Sequence, residues 1–123
     1  MKQFWMVGLG GFIGAVTRYK LGGAVLHHTT DWKFPLSTFV VNVLGCLIAG
    51  ILAGLVEKHD FFNPSLRLFL FTGLLGGFTT FSAFGLETVY LFQKQEFFWA
   101  AFNVLSSITA GLLVLWCGMK MIH

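Results

Sequence analysis

Charge is what this chain of 123 residues has least of. Lys, Arg, Asp and Glu together make up 11% of it, against roughly 25% in an average soluble domain. So little polar surface excludes an ordinary water-soluble fold. The 8 Lys and Arg stand singly along the sequence, which excludes a basic, phosphate-binding surface and with it a nucleic-acid module. Cysteine is nearly absent. Cys46 and Cys117 lie far apart and form no C-x-x-C pair, so a disulfide-stapled scaffold is excluded and both read as ordinary buried thiols. There is no phosphate loop and no legible pairing of nucleophile and base. His27 and His28 are adjacent and cannot share a helix face, so a zinc or haem site is not expected. No enzyme is expected.

What is present is apolar. Hydrophobic residues account for 56% of the chain, with 15 Phe and 15 Gly, and uncharged runs extend over residues 34–56, 68–86 and 97–119. Each is close to the ~20 residues that cross a hydrocarbon core as a helix. The first segment is interrupted by Arg18, Tyr19 and Lys20, and reads as one helix with Arg18 in a wet position. The chain is therefore predicted to be an all-α membrane protein, a single domain of four transmembrane helices over about residues 4–26, 35–56, 67–91 and 97–119. A cleaved signal peptide is the competing reading of the start, but Gly14-Ala15-Val16-Thr17 is a poor cleavage site. The connections are short, and Trp5, Trp32, Tyr90, Trp99 and Trp116 crowd the boundaries as interfacial rings do. The loop over 57–65 holds Glu57, Lys58, His59, Asp60, Asn63 and Pro64. Whatever the protein does happens in the membrane or at its faces.

Four spans put both termini on one side, with Lys2, Lys58, Arg67 and Lys120; the other side has Lys20, Lys33 and Lys94, joined by Arg18 if that residue is counted. Orientation follows an excess of Lys and Arg in cytoplasmic loops, and here the excess nearly vanishes. One reading is that a single charge is bias enough. The sharper one is dual topology, with copies inserted both ways and paired antiparallel. Gly10 with Gly14, Gly50 with Gly54 and Gly73 with Gly77 have the spacing of close helix contacts.

Polar groups inside the spans mark packing or a path. Thr38 and Asn42 share one face of the second span, as do Asn103 and Ser107 on the fourth. Taken alone, both pairs read more readily as interhelical glue than as an ion path. The third span carries Gly76-Gly77-Phe78-Thr79-Thr80-Phe81-Ser82-Ala83-Phe84. Two glycines followed by two β-branched residues make a poor helix centre and predict a break in mid-membrane, although a glycine packing notch in an unbroken helix is the alternative. Freed carbonyls at a break need protein, water or an ion, and copies of the chain could converge them on a cation. Phe81 and Phe84 are three apart. Their plain role is core or lipid contact, and their sharper role is to offer positive ring edges to an anion that must pass without sticking.

Three motifs, in order, carry a family resemblance. Gly10-Gly11-Phe12-Ile13-Gly14-Ala15-Val16-Thr17-Arg18-Tyr19, Ser37-Thr38-Phe39-Val40-Val41-Asn42-Val43-Leu44-Gly45 and the Gly73–Phe84 stretch resemble the signatures of the first three helices of the Fluc (CrcB) family of fluoride channels. The resemblance implies an antiparallel dual-topology homodimer with two fluoride pores in a bacterial inner membrane. It would let trapped cytoplasmic fluoride leave passively and so confer resistance. It implies that Asn42 donates a hydrogen bond to fluoride, that Phe81 and Phe84 turn ring edges to the ions, and that Thr38, Ser82, Asn103 and Ser107 belong to the polar lining. Arg18 and, less directly, Glu87 match vestibule positions. Gly76 and Thr79 match backbone positions that hold a central structural sodium ion with the partner copy. Two departures stand out: Ala83 where relatives carry Thr, and Asn103 where a Tyr is common. A proton-coupled small multidrug exporter has similar length and topology but needs an acid in its first helix, and residues 3–17 contain none. A non-transporting membrane scaffold, in which the stripes merely pack helices, is the other rival.

Overall fold

The computed structural model describes residues 1–59 and 63–122, and Asp60 of the second connection lies outside the described residues. The described residues are almost wholly helical. Helix α1 spans Lys2–His28, α2 Leu36–His59, α3 Pro64–Arg67, α4 Gly76–Phe78, α5 Phe81–Gln93 and α6 Phe97–Ile122. A π-helical segment, Leu68–Leu75, joins α3 to α4. Pro64–Gln93 is thus one rod with an opening in it. The rods begin and end two or three residues beyond most of the boundaries drawn from charge, because helices continue into the polar interface.

Leu36–Lys58, Pro64–Gln93 and Phe97–Ile122 are long and apolar enough to cross a membrane. Helix α1 has comparable length, 27 residues or about 40 Å, but Arg18 and Lys20 dilute its hydropathy. The start of α3 follows from its sequence: Asn63 Oδ1 accepts the Leu66 N–H at 2.7 Å, and Pro64 occupies the first turn, where its missing N–H is no loss. In the π-helical segment bonds run five residues back, up to Gly76 N–H on Phe71 O. Such widened turns gather at functional sites.

The rods associate as two pairs, α2 with α6 and α1 with the first half of the third rod. Small residues make both seams, as their spacing predicted. A Cβ on Gly14 would fall on the Leu74 carbonyl, and one on Gly77 would come within 2.6 Å of Gly11 O. On the other seam, Gly50 lies against Leu115 O and Gly118 against Leu47 O. Backbones in direct contact leave no room for side chains, so each pair is fixed in register. Ser37 Oγ also donates to Gly22 O at 2.8 Å, joining the start of α2 to α1. At the end bearing the connections after α1 and α5, Lys33 and Glu96 form a 2.9 Å ion pair.

Candidate functional site

The predicted break is present, and it falls on the threonines alone. Gly76 and Gly77 remain helical; Thr79 (φ −87°, ψ 156°) and Thr80 (φ −148°, ψ 121°) are extended. Two β-branched residues in sequence favour that geometry. Thr79 N–H and Oγ1 both bond Leu75 O, each at 2.9 Å. Thr80 Oγ1 accepts the Ala83 N–H at 3.2 Å and so caps α5. Gly45 permits the approach of this link to α2, because a Cβ there would lie on the Thr79 methyl group.

Several of the backbone groups that the break releases have identifiable partners. Asn42 takes both sides of Thr80: its Oδ1 accepts the Thr80 N–H at 2.8 Å, and its Nδ2 donates to Thr80 O at 3.0 Å. The side-chain amide replaces a missing rung of helix, and one Nδ2 hydrogen remains beyond that pair. Arg18 Nε donates to Gly77 O at 3.0 Å, which sets a cation at the negative end of the first half-rod. The Thr80 N–H that would have bonded Gly76 O is turned to Asn42 instead, so this carbonyl loses its helical donor.

A cleft of about 500 Å³ opens beside the break. Asn42, Gly76, Thr79, Phe81, Phe84 and Ser107 line it, and among the described residues no charged side chain does. The Phe81 and Phe84 rings lie 5.8 Å apart at 37°. Phe81 is 84% exposed, so nothing in the single chain covers it. Behind Ser107, its Oγ donates to Asn103 Oδ1 at 3.2 Å, Asn103 Nδ2 to Thr88 Oγ1 at 2.9 Å, and Thr88 Oγ1 to Phe84 O at 2.8 Å.

The remaining predicted positions lie elsewhere. Asn103 is only 2% exposed and sits behind the cleft wall. Thr38 donates its hydroxyl to the Glu87 carboxylate; the two border a second hollow, of about 410 Å³, toward the Lys33 and Lys94 end. Ser82 is exposed, its Oγ 3.3 Å from Thr80 Oγ1. Arg18 is half-buried behind the break. Sequence reasoning missed Thr80 as the partner of Asn42, and Thr88 as the link between Asn103 and Phe84. Thr88 had a weak signal, a hydroxyl one helical turn after Phe84 and next to Glu87.

A multi-pass membrane bundle with a largely apolar, uncharged cleft that carries a few polar groups at a broken helix fits the class of membrane transport proteins better than a packing scaffold. Comparison with known families narrows this. Residues 5–119 match the family model described as CrcB-like protein, Camphor Resistance (CrcB), and the chain belongs to that family. It is 51% identical, over 99% of its length and 95% of the relative's, to a protein of Methylobacillus flagellatus named fluoride-specific ion channel FluC. Proteins of the same name from Flavobacterium psychrophilum and Elusimicrobium minutum are 40% and 39% identical over 97% and 98% of this chain.

Proposed function

We propose that the chain is a passive, fluoride-selective ion channel that lets cytoplasmic fluoride leave down its electrochemical gradient and thereby confers fluoride resistance. The names of the near-full-length relatives support this, and they do not favour a proton-coupled exporter. The observation that carries the reading to this chain is the cleft itself. It offers an anion partial charges only, chiefly one remaining Asn42 N–H and two phenyl rings. A full positive charge would hold fluoride; ring edges and single N–H groups attract it weakly enough to release it. Each unit charge gains about 2.3 kcal/mol per 100 mV of membrane potential, so a pore needs no coupled energy source.

In this reading α1 is the fourth span, and the protein is an antiparallel dual-topology homodimer with two pores in a bacterial inner membrane. The near-even Lys and Arg count supports insertion in both directions. The exposure of Phe81 and the open side of the cleft supply a face for the second copy. The residues at the break suit a central sodium ion. Gly76 is exposed, its carbonyl has lost its helical donor, and Thr79 adjoins it in extended backbone. Carbonyls of Gly76 and Thr79 from two copies would hold the ion as hard, neutral oxygen ligands, and it would neutralise the converging dipoles.

Fluoride efflux from liposomes containing the purified protein tests the reading, with chloride measured in parallel and voltage clamped by an ionophore. Rapid fluoride efflux with chloride at background is expected. No efflux from intact dimers overturns it. Phe81→Leu removes a ring while keeping apolar volume. Efflux should fall about ten-fold, the worth of an aromatic edge contact, while the melting temperature falls little, because within the chain Phe81 is 84% exposed beside Phe84 and leucine keeps an apolar side chain for the second copy. Equal loss of stability and flux would assign Phe81 to packing instead.

A further inference from the structure

We propose that Asn103 is a positioning residue that holds the Ser107 proton away from the cleft and thereby limits the rate of anion passage. The inference rests on the channel reading, and the direction of the hydrogen bonds carries it. Phe84 O is a carbonyl and can only accept, so Thr88 Oγ1, 2.8 Å from it, gives up its single proton there. Thr88 can then only accept from Asn103, which turns Nδ2 toward Thr88 at 2.9 Å and fixes the amide orientation. The amide oxygen is left facing Ser107, whose hydroxyl donates to it at 3.2 Å. The chain of bonds has one sense from end to end. Its outcome is that Ser107, on the wall of the cleft, shows an anion its lone pairs and not its proton.

A fluoride ion gains from Ser107 only if that proton swings into the cleft. The swing strips Asn103 Oδ1 of its donor, in a residue that is only 2% exposed. Leaving a buried acceptor unpaired is costly. A side chain that releases Ser107 therefore speeds conduction. Asn103 touches no ion; it acts through Ser107.

Two substitutions release the proton from opposite ends. Asn103→Leu removes the acceptor. Thr88→Val removes the hydroxyl that fixes the amide, and the amide can then turn Nδ2 toward Ser107. Each is expected to raise fluoride efflux about ten-fold, which corresponds to about 1.4 kcal/mol, with chloride still at background. In a Ser107→Ala background neither should change the rate, a dependence that a purely structural role would not produce. Thr88→Val conserves shape and decides the matter where Asn103→Leu fails to assemble. Efflux in Thr88→Val that is unchanged, reduced, or raised equally without Ser107 overturns the proposal. Wild-type protein that conducts no fluoride would overturn the channel reading instead, so the two failures are distinguishable.

Discussion

Asn42→Asp is expected to abolish fluoride efflux, by at least about a hundred-fold, while the protein still inserts. The amide does two jobs at the break, and the carboxylate can do only one. An oxygen in place of Oδ1 still accepts the Thr80 N–H. The other oxygen replaces Nδ2, which donates to Thr80 O at 3.0 Å, and so places a second acceptor against that carbonyl. The hydrogen bond becomes a repulsion. The one remaining N–H that the cleft offers an anion disappears as well, and a negative charge appears in a cleft lined by no compensating cation. Losing a hydrogen bond to a charged group costs about 1.5–3 kcal/mol, and the exposed charge adds to it, hence the hundred-fold. Liposome efflux against an equal density of wild-type protein measures it. Ordinary conduction by this variant would show that the amide is far from the ion.

Gly14→Val is the change expected to damage the fold most. The added Cβ would coincide with Leu74 O, a backbone atom that cannot rotate aside. Helix α1 cannot retreat as a body without parting Gly10, only 3.1 Å from the Gly73 Cα in terms of the same imagined Cβ, and Gly77 from Gly11. Overpacking of this kind costs up to about 3 kcal/mol or more. Detergent-purified protein should lose most of its monodisperse fraction and melt well below the wild type. Gly8→Ala and Gly23→Ala are matched controls, since nothing lies within 4 Å of a Cβ at either. A Gly14→Val protein that melts with the controls would mean that the α1 seam contributes nothing.

The seams and the break were legible in the sequence because each is a local pattern. Glycines four apart announce close helix contact, and Gly-Gly-Phe-Thr-Thr announces a weak helix centre. The location of the opening was less legible. Propensity penalises Gly76 and Gly77 in any helix, yet both stay helical, Gly77 packed against α1 and Gly76 exposed, and only the threonines leave the helix. The cleft was legible as a set of residue types, and Asn42, Phe81, Phe84 and Ser107 do meet there. Their partners were not. Asn42 bonds the backbone of Thr80, which no side-chain pattern reveals. Arg18 bonds a carbonyl 59 positions away, and nothing in the first span identifies it. Thr38 and Asn42 share a helix face yet serve different hollows, because Thr38 meets Glu87 of α5 and Asn42 meets Thr80 of the extended link before it.

The bond from Arg18 to Gly77 has a consequence for biosynthesis. A ribosome adds about 5–20 residues each second, so an interval of 59 residues separates the guanidinium from its acceptor by roughly 3–12 s. Throughout that interval the first segment emerges with a cation that has no carbonyl to meet and with lower hydropathy than the three rods that follow. Until the first half of the third rod arrives, the guanidinium lacks the carbonyl that it meets in the folded chain. The seam holding Gly14 and Gly77 can close, and the charge be covered, only from that point. Docking of α1 is thus postponed until more than half of the chain has been made.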